Sequence, residues 1–125
     1  MTRVYVADAL NEERSALCLL LLDLKMEVVG EAADWQTTLA NAPDTHLDML
    51  LVDWALLPTH SERQTFTTIR GLCLNAIVIV LLGQAGIHRQ TALFTGANAL
   101  ISKDELPDRV ADHLRWAAAN VPVAL

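Results

Sequence analysis

Three apolar runs in this chain each stop at a charge: residues 4–7 at Asp8, residues 49–52 at Asp53 and residues 99–102 at Lys103. Two carboxylates and an ammonium brought to one place would suit a hard divalent cation and a phosphoryl group, because carboxylate oxygens hold Mg²⁺ and a lysine is a compact point charge for phosphate. They meet only if the runs are strands of one parallel sheet. Near-continuous apolar runs are what strands buried on both faces look like. In an open α/β sheet, ligands bind at the edge formed by the carboxyl ends of the strands. The neighbours of these charges matter too. Ala9 follows Asp8, and Leu82 ends a fourth apolar run; both are places where polar atoms would help such chemistry.

The elements needed to position these charges are legible as alternating periods. Arg3–Ala7 starts the chain as a strand. Asn11 is placed to cap a helix, with Glu12 and Glu13 in its favourable first turn. Leu17, Leu20, Leu21 and Leu24 then form its apolar stripe. A second strand is predicted over 26–30, and Asp34 caps a short helix that runs to Ala42 and ends at Pro43. The third strand falls at 47–52. Ser61 and Gln64 make a capping-box pair, and Phe66, Ile69, Leu72 and Cys73 supply the buried face of the third helix. Residues 77–82 form the most β-rich segment and belong at the sheet's centre. Residues 83–86 read as a loop, and a weak fourth helix at 87–95 stops at Gly96. A short fifth strand covers 99–101. Pro107 suits the first turn of a fifth helix that turns Val110, Leu114 and Ala117 inward. Five strands alternating with helices predict an α/β fold, a doubly wound five-stranded parallel sheet. The expected domain spans 1–120, with 121–125 a tail or the start of a truncated linker.

Bulk properties narrow the function. A chain of 125 residues, 53% hydrophobic and only 5% aromatic, makes one domain with an aliphatic core. A formal charge of −6 repels polyphosphate backbones and argues against nucleic-acid binding by this domain. Cys18 and Cys73 lack metal or redox spacing and read as reduced core cysteines. His46, His60, His88 and His113 are scattered, without ligand spacing. Residues 1–6 lack a signal-peptide pattern, and the longest apolar stretches are far too short to span a bilayer, so the expectation is a soluble cytoplasmic protein with no membrane partner. No dinucleotide or P-loop glycine pattern is present in the sequence.

Taken in order, RVYVADALNEERSALCLLL, EVVGEAADW, LDMLLVDWALLP, AIVIVLL and GANALISKDELP resemble the receiver domain of bacterial two-component response regulators, in the style of receivers joined to a LuxR-type helix-turn-helix output domain. The resemblance spans almost the whole chain, and the spacings from Asp8 to Asp53 and from Asp53 to Lys103 are close to the family's. It implies a flavodoxin-like receiver fold. Asp53 matches the phosphoacceptor, Asp8 the first member of the acidic pair that holds Mg²⁺, and the backbone carbonyl of Ala55 a further metal ligand. Lys103 matches the lysine that pairs with phosphoryl oxygens. The implied cofactor is Mg²⁺, and the implied partner is a histidine kinase or phosphotransfer protein. Self-phosphorylation of Asp53 from a phosphodonor is implied, but no turnover enzyme. A homodimer would form through the face of the fourth helix, fifth strand and fifth helix.

The departures from the family pattern are specific. Ala9 replaces the second acid, so Mg²⁺ is held with lowered affinity or not at all; Asn11 or Glu12 are the nearby oxygens that could contribute. Leu82 replaces the hydroxyl residue that bonds the phosphoryl group, where a hydrogen bond to charge contributes roughly 1.5–3 kcal/mol. Leu100 replaces the aromatic switch residue, and strand alternation turns Ser102 away from the face used by Lys103. Pro58 comes one residue later than usual. Plainer readings stand beside these roles. Asp8 also reads as a cap of the following turn, and Lys103, beside Asp104 and Glu105, as a solvated pair or as a structural partner for Asp53. Trp54 reads as a ring packed beside the site, and Trp35 and Trp116 as surface or interface residues. Two functional readings stay open: a phosphorylatable receiver with atypical switching, and a phosphorylation-independent pseudo-receiver serving as an interaction or dimerisation module.

Overall fold

The computed structural model describes residues 1–58, 62–73, 75–83 and 97–120, without the side chains of 62–66. Its strands are β1 (Arg3–Ala7), β2 (Glu27–Ala32), β3 (Met49–Asp53), β4 (Ile77–Leu82) and β5 (Ala99–Ser102). They form one sheet in the order β2-β1-β3-β4-β5, and every neighbouring pair is parallel. This is the doubly wound five-stranded sheet anticipated from the alternating periods. The helices are α1 (Asn11–Asp23), α2 (Trp35–Asn41), α3 (Glu62–Leu72) and α4 (Pro107–Ala119). The last of these is the fifth helix of the sequence reading. The helix expected at 87–95, the Gly96 stop, Ser61, the side chains of Gln64 and Phe66, His60, His88 and the tail 121–125 lie outside the described residues.

Strand alternation splits the core into two layers. Tyr5, Ala7, Leu50, Val52, Val78, Val80 and Leu82 face one side, against Ile69 of α3, with Trp35 and Leu39 of α2 packed on. Val4, Val6, Met49, Leu51, Ile79, Leu81 and Ile101 face the other, against Leu21 of α1 and Leu114 and Ala117 of α4. All residues of β3 and β4 are buried, as continuous apolar runs in a parallel sheet should be. α1 begins with the polar residues Asn11–Ser15 and is apolar on several sides beyond them. Leu17, Leu20, Leu21 and Leu24 turn inward, while Leu19 and Leu22 stay exposed.

Several local expectations shift. Asn11 does not cap α1: Leu10 is the N-cap, and the Asn11 side chain accepts a hydrogen bond from Arg14 Nη2 at 3.0 Å. The cap at Asp34 holds, its carboxylate accepting from the Thr37 N–H at 2.7 Å. That contact keeps the Asp34 carboxyl below its ordinary range. Pro43 sits inside a 3₁₀ turn, Ala42–Thr45, that follows α2. Leu72 is exposed, because the inward face of α3 is carried by Ile69 and by Cys73 just beyond its end. Trp35 is half-buried against the core and is not a surface ring. Val110 is half-buried. Cys73 is buried and Cys18 half-buried, both free. Burial, reinforced by the charge of Glu31, pushes the Cys18 thiol up to about 11, so it is protonated at neutral pH.

Gly30 is required by close packing. It pairs with Tyr5 across β1 and β2, and a methyl group there would lie 2.5 Å from Cε2 of that buried ring. Gly30→Ala should therefore lower unfolding stability by about 1–3 kcal/mol, the range for overpacking. A urea titration in which this variant unfolds with the parent midpoint would contradict that packing.

Candidate functional site

The three charges singled out in the sequence converge. β1, β3 and β5 end at the same edge of the sheet, and parallel register puts Asp8, Asp53 and Lys103 in one cleft. Asp8 follows β1 and is fully buried. Its Oδ1 accepts from the Leu10 N–H at 3.0 Å, and its backbone carbonyl accepts from Arg14 Nη1 at 2.7 Å. Both bonds tie the start of α1 to the end of β1. Asp8 Oδ2 is buried and accepts no hydrogen bond; its charged neighbour is Lys103 Nζ at 3.3 Å. The capping reading and the cation-site reading of Asp8 thus describe different oxygens of one carboxylate.

Asp53, the last residue of β3, is 6% exposed. Its Oδ1 accepts from the Ala55 N–H at 3.0 Å, capping the 3₁₀ turn Trp54–Leu56. Its Oδ2 accepts from Lys103 Nζ at 2.5 Å. Lys103 is set in place by its backbone, whose N–H donates to the Leu82 carbonyl at 2.9 Å and extends the β4–β5 ladder by one residue. Burial disfavours the charge on Lys103. The hydrogen bonds to Asp53 and Glu13, with the charges of Asp53 and Asp8, outweigh that and hold its pKa well above the ordinary lysine value.

Glu13 is the residue the sequence reading missed. Asn11 is engaged with Arg14 and Glu12 is exposed, but the Glu13 carboxylate reaches the cleft and accepts a hydrogen bond from Lys103 Nζ. The signal was present: Glu13 precedes Leu17, Leu20 and Leu24 at helical spacing and so belongs to the inward stripe of α1, whereas Glu12 falls on the exposed stripe with Ala16 and Leu19. One carboxylate oxygen from each of Asp8, Glu13 and Asp53 lies within 4.8 Å of the other two. Ala9 is exposed and offers no side-chain oxygen.

The donor set fits a small divalent cation: three carboxylates surround one ammonium, which leaves excess negative charge, and a buried Asp8 oxygen lacks a hydrogen bond. The cleft beside them, about 500 Å³, is bordered by Leu10, Glu13, Trp54, Ala55, Gly83 and Lys103. Trp54 packs against the core beside the site. Leu82 is buried among Val52, Val80 and Leu57, and Leu100 packs on the same layer, so both positions are apolar packing. Ser102 Oγ accepts from the Asp104 N–H at 3.2 Å and is engaged locally.

Known structures agree with this architecture. The signal receiver domain of the putative response regulator NarL from Mycobacterium tuberculosis superposes with a TM-score of 0.81 at 24% identity, over 95% of this chain and 97% of that one. The isolated REC domain of RcsB from Salmonella enterica serovar Typhimurium, determined in the presence of phosphomimetic BeF3−, gives 0.82 at 17% identity, over 98% and 91%. A LuxR-family DNA-binding response regulator from Staphylococcus aureus gives 0.80 at 16% identity, over 94% and 99%. No protein-family model matches the chain, and no curated protein matches it in sequence. The chain therefore has the flavodoxin-like receiver fold of response regulators. Among the described residues, no helix is long and apolar enough to cross a membrane.

Lys103 offsets the charge of carboxylates that β1 and β3 bury. Lys103→Met should cost on the order of 2–3 kcal/mol, less than for a fully enclosed pair because the cleft opens to solvent. The raised pKa fixes the pH window. The contribution is complete below the unfolded lysine value of about 10.4 and is lost only as pH climbs through the higher folded value. The stability difference between parent and variant, measured by urea unfolding, should stay constant from pH 7 to about 10. A difference that vanished near pH 8 would contradict the assigned charge state.

Proposed function

We propose that this chain is the receiver domain of a two-component signal-transduction response regulator, spanning 1–120, and that Asp53 accepts a phosphoryl group from a histidine kinase or phosphotransfer protein. One observation carries the reading: Asp53 ends a central strand with one oxygen held by the Ala55 N–H and the other against Lys103 Nζ, beside the buried Asp8. In the transfer, an Asp53 carboxylate oxygen forms a bond to phosphorus as the donor's P–N or P–O bond breaks, its electron pair leaving with the donor. Such a reaction depends on positioning and charge neutralisation more than on proton transfer. The Ala55 N–H orients the carboxylate. Lys103 is placed to exchange a carboxylate oxygen for a phosphoryl oxygen as negative charge builds up. Mg²⁺, held by Asp8, Asp53 and the Ala55 carbonyl, would supply the further charge neutralisation that an anionic nucleophile and donor require. The domain acts once per phosphorylation and is not a turnover enzyme.

Switching is atypical in this reading, because Leu82 offers no hydroxyl to a phosphoryl group and Leu100 no ring to swing inward. Those same two packed leucines favour the second reading, a pseudo-receiver that acts as an interaction or dimerisation module without phosphate. In either case the work is done in the cytoplasm, with a homodimer formed through a face that includes β5 and α4, and nucleic acid bound only by a separate output domain.

Titration with Mg²⁺ and then beryllofluoride, followed by tryptophan emission, tests the phosphoacceptor reading, since Trp54 adjoins Asp53. The expected result is a saturable change that disappears in Asp53→Asn. No response at millimolar Mg²⁺ would leave the pseudo-receiver reading standing alone.

A further inference from the structure

We propose that Glu13 supplies the metal-binding carboxylate that Ala9 lacks, so that a divalent cation is held by Asp8, Asp53 and Glu13, two from strand ends and one from the first turn of α1. The inference rests on the receiver reading above and names a residue that reading does not use. Ala9 is exposed and offers no side-chain oxygen, which leaves the Asp8–Asp53 pair without a third carboxylate from that loop. Glu13 lies on the inward stripe of α1, and its carboxylate sits close enough to place one oxygen from each acid within a 4.8 Å group. Oxygens sharing one Mg²⁺ at its usual bond length lie about 3 Å apart when adjacent and ~4 Å when opposite, so the three carboxylates close on the ion as it enters. Asp8 Oδ2 is fully buried, accepts no hydrogen bond and has Lys103 Nζ as its charged neighbour at 3.3 Å, so one of its lone pairs is open to a further cation.

The arrangement is also held in place. Arg14, the next residue, donates to the Asp8 carbonyl at 2.7 Å and to Asn11 Oδ1 at 3.0 Å, which fastens the first turn of α1 to the end of β1. Glu13 therefore belongs to the same rigid corner as Asp8. Lys103 Nζ now bridges Glu13, Asp53 and Asp8, and a cation entering the group competes with it for these oxygens.

Mn²⁺ binding, read from the free-ion signal in electron paramagnetic resonance, tests this without any phosphoryl donor. Four chains are compared: the parent, Glu13→Gln, Asp53→Asn, and Glu13→Gln combined with Ala9→Asp. Thermal melts check that each folds. Glu13→Gln should weaken Mn²⁺ binding by at least the roughly tenfold that even outer-shell changes around a metal cost. Ala9→Asp in the same chain should restore it. If Glu13 only balances Lys103, Glu13→Gln will bind within twofold of the parent, and the proposal fails while the Asp8–Asp53 site stands. Parent binding unaffected by Asp53→Asn would instead overturn the receiver-site reading, and no Mn²⁺ binding by the parent at millimolar concentration would overturn both.

Discussion

One ammonium compensates the charge density that this fold creates at its functional edge. A parallel sheet brings the carboxyl ends of its strands together, and here that delivers Asp8, fully buried, and Asp53, nearly so, into one corner. Two carboxylates withdrawn from water so close together are costly unless paired and hydrogen-bonded. Lys103 meets that requirement through Nζ, and its backbone fixes where Nζ sits by prolonging the β4–β5 ladder to the Leu82 carbonyl. The same ammonium takes in Glu13 from α1. Sheet, loop and helix are thus joined at one charged point, the place where ligand chemistry is expected in an open α/β sheet.

Much of this was legible because it follows from period and punctuation. β4 came out as 77–82, and β1 as Arg3–Ala7. The meeting of Asp8, Asp53 and Lys103 followed from apolar runs ending in charge. Less legible were features decided by side-chain reach or by competition for a bond. Asn11 is a good capping residue, but Arg14 claims its oxygen. Leu72 belongs to the apolar pattern of α3, yet the helix offers Ile69 and Cys73 to the sheet. Glu13 was hidden by its neighbour: two adjacent glutamates in a first turn look alike by charge, and only the stripe they share with Leu17 or with Leu19 tells them apart.

The apolar residues at 82 and 100 give the site its second character. Leu82 and Leu100 complete the layer that packs against Trp54, Leu56 and Leu57, so the sheet edge next to the acids is sealed with hydrocarbon. On that side the acids reach the chain through the Ala55 N–H, which donates to Asp53 Oδ1. On the other side they couple to α1 twice, through Glu13 on Lys103 and through Arg14 on the Asp8 carbonyl. A change of charge at Asp53 is therefore linked through Lys103 and Glu13 to the first turn of α1, a helix on which Leu19 and Leu22 are exposed farther along.

The central claim is that Asp53 is a nucleophile toward phosphorus and not only a buried counter-charge for Lys103. Intact-mass measurement after incubation with Mg²⁺ and a small phosphodonor such as acetyl phosphate addresses it most directly. The account predicts a gain of one phosphoryl group, labile to hydroxylamine as an acyl phosphate is, and absent from Asp53→Asn. An unchanged mass in the parent, or an equal gain in Asp53→Asn, would contradict it.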